Sequence, residues 1–402
     1  MISNTLKIQA TSNVNAKVGR VLWFMWATIL LLATVGLTSI FSATSGDESI
    51  TSSQMIYLTL GCILAGWLCV IDYGDISRWA YPLYAFSLFL LILVLLPGVG
   101  VKINGARRWL DLGIVQVQPS EFAKLTMIIA LGFFLSRPKL DLKSRKTFFT
   151  CLGIIGVTFL LILKEPDLGS SIVLFPVGIA MMYVGGIPLK YLLNFFGAVA
   201  LIFVFLIVEV LYMPPQFQVI KLEDYQKKRL MVYFGVDYAP KNAGPEERRR
   251  LKIEQFNDSY NVNQAKISVG SGGLTGKGWR QGTQIKLGYL PNSVAHNDFI
   301  FSVIAEEHGF MGSIFVLSLY AILLISGLRV AGLARDRQGK FLAVGITTLW
   351  FSQIFINIGM NVGLTPVTGL PLPILSHGGS AGISALIAAG LLQNVYAYRR
   401  KY

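Results

Sequence analysis

Ten predominantly apolar stretches punctuate the chain, at about 21–43, 54–72, 79–97, 119–135, 147–163, 168–186, 189–213, 299–328, 341–363 and 378–397. Each approaches or exceeds the roughly 20 residues that a helix needs to cross a bilayer. The pattern predicts an all-α integral membrane protein of about ten transmembrane helices, with a large extracytoplasmic loop between the seventh and eighth. The eighth stretch is longer than a span requires, so its start reads as a separate or tilted piece. The first, beginning at Val21, is too long for a signal-peptide core and lacks a cleavage site, so it reads as a retained helix. The organisation that follows is a cytoplasmic tail over 1–20, a polytopic domain over 21–397 that includes the loop at 213–298, and a short cytoplasmic tail over 398–402.

Composition agrees with this class. Of 402 residues 53% are hydrophobic and only 14% charged, against about 25% charged in soluble proteins. The net charge of +14 has a membrane explanation, because Lys and Arg gather on cytoplasmic loops and face anionic lipid; nucleic acid is not an expected partner. Cys62, Cys69 and Cys151 all lie in apolar runs and form no metal or disulfide pattern.

With ten spans and both termini cytoplasmic, the dense basic clusters SRPKLDLKSRK and RVAGLARDRQGK, and Arg399 to Lys401, fall inside, while SATSGDESITSS carries no Lys or Arg. One short-loop cluster breaks the rule: KINGARRW, Lys102 to Trp109, falls outside. The glycine-rich stretch GSGGLTGKGW, Gly270 to Trp279, imitates a Walker loop, but Ser271 replaces the first glycine and Gly278 the Mg²⁺-binding hydroxyl. Its outer position and the lack of a preceding strand dispose of the nucleotide reading. A phosphate-binding nest of backbone N–H groups and a tight glycine turn both remain as readings. YAPKNAGPEERRRLKIEQF, Tyr238 to Phe256, reads as a solvated helical face.

Ionisable groups at the ends of spans raise a functional hypothesis by default. Arg107 and Arg108 stand beside Trp109, Glu121 and Lys124 share a helical face at i and i+3, Asp167 precedes the sixth stretch, and Asp298 precedes the eighth beside His296. Each has a plain structural alternative: interface anchors, an ion pair, and N-caps for the two aspartates. Their convergence on one face and one depth favours a single polar site. Glu306, Glu307 and His308 match no zinc pattern.

In order, GARRWLDLGIVQVQPSEFAK, KEPDLGSS, KISVGSGGLTGKGWRQGTQ, LPNSVAHNDFIFSVIAEE and NIGMNVGLTPVTGLPLPILSHGGS resemble the SEDS family of RodA, FtsW and the sporulation homologue, nearly from end to end. GKGWRQGTQ and GLTPVTGLPLP are most like RodA. The resemblance implies a peptidoglycan glycosyltransferase that polymerises lipid II during cell elongation and cell-shape maintenance. It implies a multi-pass protein of the bacterial inner membrane, with its active site on the extracytoplasmic face. A class B penicillin-binding protein and other elongation-complex membrane proteins are the implied partners. The family's essential aspartate falls on Asp298 as the catalytic residue, and Arg108, Glu121, Lys124, Asp167, Lys277, Gln284 and His296 fall on motif positions expected to bind substrate. No organic cofactor is implied; a divalent cation, Mg²⁺ or Mn²⁺, fits the chemistry. The chain departs from the family where LPNSVAHNDFIF carries two extra residues, Asn292 for Glu and Asn297 for Thr, and where His377 replaces a tyrosine; Val236 to Asn257 reads as an insertion.

Glycosyl transfer needs a base on the acceptor hydroxyl, and a carboxylate serves when partial burial raises its pKa. The departing lipid diphosphate needs cations, for which Arg108, Lys124 and Lys277 stand nominated. A flippase of lipid-linked precursor would spread charge through the depth of the membrane, whereas here the span centres are almost free of it. A non-catalytic scaffold would require neither Asp298 nor Lys277. A division- or sporulation-type polymerase is the remaining alternative.

Overall fold

The structure, a computed structural model, describes residues 21–103, 106–111, 113, 116–212, 224–239 and 244–399. The tails read for 1–20 and 400–402, part of KINGARRW, and the pieces of the long loop and its insertion at 213–223 and 240–243 lie outside the described residues.

In chain order the elements are α1 (Trp23–Ala43), α2 (Glu48–Val70), α3 (Tyr73–Arg78) and α4 (Ala80–Leu95), then strands β1 (Gly100–Ile103), β2 (Ala106–Asp111) and β3 (Gln116–Val117). There follow α5 (Pro119–Leu135), α6 (Arg145–Lys164), α7 (Leu168–Ile172), α8 (Leu174–Gly185) and α9 (Leu189–Tyr212). Next come α10 (Asp224–Phe234), α11 (Pro245–Ser271), α12 (Thr283–Lys286) and α13 (Asn292–Ala295), and last α14 (Ile300–Leu333), α15 (Arg337–Val362) and α16 (Gly379–Ala397).

Eight helical stretches among the described residues are long and apolar enough to cross a membrane, with α7 and α8 together forming one of them. The 16-residue α4 and the 17-residue α5 occupy the third and fourth predicted stretches, so all ten apolar stretches are helical. The sixth is broken at Val173, between α7 and α8. The eighth kinks at Gly309, whose φ of 64° and ψ of −159° are non-helical, as its excess length anticipated.

Packing sorts the spans from centre to rim. α16 is 83% buried and α15 72%, whereas α9 is only 6% buried and presents its apolar surface outward. The closest pair is α2 with α16: a Cβ on Gly390 would stand 2.7 Å from the Ala65 Cα, the small-residue contact that lets membrane helices approach when no hydrophobic drive separates them from lipid. At one end of the bundle Arg335 forks onto both Asp72 oxygens at 2.9 and 3.0 Å. At the other end lie the α1–α2, α4–α5, α6–α7, α9–α14 and α15–α16 connections. The α4–α5 connection holds the antiparallel sheet β1-β2-β3, which the apolar pattern did not show. That sheet carries Arg107 and Arg108.

Candidate active site

The connections at the second end converge on Asp298. Its carboxylate lies within electrostatic reach of Arg108 from β2, Asp167 from the α6–α7 turn and Arg229 from α10, and Oδ2 is 3.7 Å from where a Cβ on Gly369 would stand. Burial is the main cause that pushes this carboxyl up to about 6 from its ordinary 3.8; Asp167 adds to the rise, and Arg229 and Arg108 oppose it. A cavity of about 760 Å³ opens on Asp298 and is walled by Arg229, Tyr233, Lys266, Asn263 and Thr365, from α10, α11 and the α15–α16 connection.

The main chain at Asp298 is clamped from below. Asn357 and Asn361, both fully buried one turn apart on α15, each donate Nδ2 to the Asp298 carbonyl at 3.1 Å. Asn357 also donates to the Leu370 carbonyl at 2.6 Å, and Ser302 donates through both N and Oγ to Asn361 Oδ1. The start of α14 and the α15–α16 connection are thereby tied to one pair of amides. Two unpaired buried amides would be costly, so the arrangement holds only when all these partners are in place.

Arg108 and Asp167 sit beside Asp298 by different means. Arg108 donates Nε to the Glu165 carbonyl at 3.0 Å and a second nitrogen to the Pro166 carbonyl. Asp167 caps α7 by accepting from Ser170 N at 3.0 Å, and its other oxygen accepts from Gln118 at 3.0 Å. It is thus both a cap and a neighbour of the site. Glu165 beneath them is fully buried. Burial, reinforced by Asp167, pushes its carboxyl up to about 9 against the opposing pull of Arg108; it is neutral at pH 7.

Other residues singled out in the sequence lie elsewhere. Glu121 and Lys124 pair at 2.7 Å with side-chain exposures of 2% and 1%, and Ser384 of α16 donates to the second Glu121 oxygen at 3.2 Å. They form a closed ion pair between α5 and α16. Lys277 is held by three oxygens: Glu306 Oε1 at 2.6 Å, Thr283 Oγ1 at 2.7 Å and Ser271 Oγ at 2.8 Å. Gln284 N joins Thr283 N on the same Glu306 oxygen, at 3.2 and 2.8 Å. The glycine-rich segment therefore wraps the kink of α14. Gly276 must be glycine there, since its φ is +81° and a Cβ would fall 2.1 Å from the Glu307 carbonyl oxygen. Of the two loop readings the tight glycine turn fits: Gly273, Gly276 and Gly278 all have positive φ, and the amides of Lys277 and Gly278 donate to the Glu306 and Glu307 carbonyls at 3.0 and 2.9 Å.

His296 is buried against the Asn292 carbonyl and meets His377 edge-on, with ring centroids 5.1 Å apart. Burial lowers His296 from its ordinary value, and burial with His296 nearby takes His377 down to about 4. His377 Nδ1 lies 3.3 Å from Asn297 Oδ1, so two departures from the family pattern touch one another beside Asp298.

The site residues that sequence reasoning missed are Arg229, Lys266, Asn357 and Asn361. The asparagines had a readable signal, two amides at i and i+4 in an apolar span. Lys266 lay inside a quoted motif without being singled out. Arg229 gave none, because only the fold brings α10 over Asp298. Among the described residues no three His, Cys, Asp or Glu side chains gather to hold a metal ion.

The family described as "Cell cycle protein", FTSW_RODA_SPOVE, matches residues 20–401. Stage V sporulation protein E of Bacillus subtilis is 36% identical over 381 residues, covering 92% of this chain and 95% of that protein. Peptidoglycan glycosyltransferase MrdB of Escherichia coli K12 is 33% identical over 376 residues, with 94% and 93% covered. A chain of a solved structure described as "Structural coordination of polymerization and crosslinking by a peptidoglycan synthase complex" superimposes with a TM-score of 0.76 at 28% identity, covering 95% of this chain and 99% of that one.

Proposed function

From the premise that this chain belongs to the FtsW/RodA/SpoVE family, we propose that it polymerises lipid II with Asp298 as the general base, in the manner of the elongation enzymes. The chain is a peptidoglycan glycosyltransferase and a multi-pass membrane protein. The observation that supports the assignment of the base is the half-buried Asp298 carboxylate on the wall of a polar cavity, with its pKa drawn toward working pH.

In the reaction the acceptor sugar hydroxyl attacks the anomeric carbon of the donor as Asp298 takes the hydroxyl proton. The new C–O bond forms as the bond from the anomeric carbon to the lipid diphosphate breaks, and the electron pair leaves on the diphosphate. Attack opposite the leaving group inverts the anomeric configuration. Arg108 and Arg229 temper the base: they keep its pKa below the value that burial alone would impose, so that it is ionised at pH 7. Mg²⁺ or Mn²⁺ would take its ligands mainly from the substrate's phosphate oxygens and would supply charge neutralisation there, since no three His, Cys, Asp or Glu side chains among the described residues gather to hold it. The active face is extracytoplasmic on the charge distribution of the loops, in the bacterial inner membrane. A class B penicillin-binding protein would be the transpeptidase partner, as the match to a chain of a synthase complex supports. The elongation role rests on the RodA flavour of GKGWRQGTQ and GLTPVTGLPLP, and the sporulation relative keeps a division-type role as the second reading.

The test is polymerisation of labelled lipid II by the purified protein with its transpeptidase partner, penicillin present, with and without Mg²⁺ or Mn²⁺. Glycan from the wild type and none from folded Asp298→Ala is expected. Equal glycan from both removes Asp298 as base, and none from either returns the flippase or scaffold reading.

A further inference from the structure

Of the cations nominated from sequence to meet the departing diphosphate, two are already spent. Lys124 is sealed against Glu121, and Lys277 against Glu306. On the cavity wall Lys228 is likewise paired with Glu254. A diphosphate leaving the anomeric carbon opposite Asp298 gains negative charge in a partly desolvated space, where an uncompensated anion is costly.

Two cations on that wall are placed differently. Lys266, on the inner half of α11, forms no ion pair or hydrogen bond among the described residues and is exposed to the cavity. Its position is nonetheless defined. The end of its side chain lies over Gly363, the left-handed C-cap of α15, where a Cβ would meet Lys266 Cε at 2.4 Å and Nζ at 2.9 Å. Gly363 is glycine because its φ is +83°, and the carbonyl-rich end of a helix favours a cation. Arg229 reaches over the same cavity from α10, anchored by Nη1 on the Val367 carbonyl at 3.1 Å. A guanidinium carries five donors, and this one senses the Asp298 carboxylate.

We propose that Lys266 and Arg229 form the subsite for the lipid-linked diphosphate that leaves during transfer, with Lys266 as its principal ligand. The inference deepens the glycosyltransferase reading and rests on it. Lys266 supplies a compact point charge and Arg229 a planar fork on phosphate oxygens. Asp298, which lines the same cavity, is left to the acceptor hydroxyl. The extracytoplasmic helices α10 and α11 then belong to the site itself, because they carry its cations.

The experiment measures binding of undecaprenyl diphosphate, undecaprenyl monophosphate and phosphatidylglycerol to the detergent-solubilised full chain, without turnover. Wild type, Lys266→Gln, Lys266→Arg and Arg229→Gln are compared, with thermal unfolding as the fold control. The expected result is that Lys266→Gln weakens diphosphate binding about tenfold or more and monophosphate binding much less. Lys266→Arg retains most of the affinity, Arg229→Gln weakens it less than Lys266→Gln, and phosphatidylglycerol is indifferent to all three. Diphosphate binding by folded Lys266→Gln at wild-type strength overturns the subsite, as does an equal loss for all three lipids. Wild-type polymerisation is assayed in parallel. Polymer from the wild type with undiminished diphosphate binding by Lys266→Gln removes the subsite and leaves the enzyme, whereas no polymer from the wild type removes the enzyme reading on its own evidence.

Discussion

The Lys277 ammonium lies 2.6 Å from Glu306 Oε1, an oxygen that also accepts from the backbone amides of Thr283 and Gln284. One buried carboxylate thus organises a glycine-rich loop whose sequence suggested a phosphate site. The pair ties the glycine-rich loop to α14 three residues before its kink at Gly309.

Removing Lys277 leaves a carboxylate that is 1% exposed without its counter-charge. Lys277→Ala is expected to destabilise the protein by about 2–4 kcal/mol, below the usual cost of breaking a fully buried pair because the lysine is partly hydrated. The double variant Lys277→Ala with Glu306→Gln should recover at least about 1 kcal/mol of the summed single losses. Thermal unfolding in detergent measures both. Strictly additive losses, or lost polymerisation with unchanged stability, would restore Lys277 as a substrate ligand.

Asp298 predicts a pH profile. A general base works only ionised, so the polymerisation rate should climb with pH through about 6 and then level. The stability effect has the opposite slope. A carboxyl whose folded pKa is raised from 3.8 to about 6 costs the folded state progressively as pH rises between those values, and the full cost is present above them. Asp298→Asn should therefore be inactive yet more stable than wild type at pH 7.5, by about 1–2 kcal/mol after allowance for partial hydration. The gain should vanish near pH 4. Unfolding temperatures at the two pH values decide it, and equal shifts at both would contradict the buried-charge account.

For Glu121 and Lys124 the expected signature is purely structural. Lys124→Met alone strands a buried carboxylate and should cost about 3–5 kcal/mol, whereas Glu121→Gln with Lys124→Met should restore most of that. If the double variant is stable but inactive, the pair contributes to substrate binding after all.

Asn361→Ala removes one of the two amides on the Asp298 carbonyl and leaves Ser302 without its acceptor. Because it shifts Asp298, the proposed base, without touching the cavity wall, kcat should fall about tenfold or more with KM nearly unchanged. Asn361→Asp, which keeps the acceptor for Ser302 but not the donor, should not rescue. A rise in KM at constant kcat would place Asn361 in substrate binding.

Much of this protein is legible in the chain because a bilayer leaves few choices. Backbone polar groups in hydrocarbon must be satisfied within the segment, so ten apolar runs could only become ten helices, and the surplus length of the eighth already announced its kink. Asp298, Arg108 and Asp167 were also legible, since a charge at the end of a span is expensive and the motifs around these three are specific. The small sheet was not, being set by pairing between short strands with no apolar signature. Nor was the fate of the lysines. A sequence displays which cations exist, but whether each is neutralised depends on which carboxylate the packing brings within 3 Å. Lys124 found its partner three residues away, Lys277 found Glu306 twenty-nine residues on, and Lys266 found only the space above Gly363. Residue types and their place along the membrane normal are properties of the chain alone; pairing is decided across loops, by tertiary structure, because a Coulomb partner acts through distance in space and not along the chain.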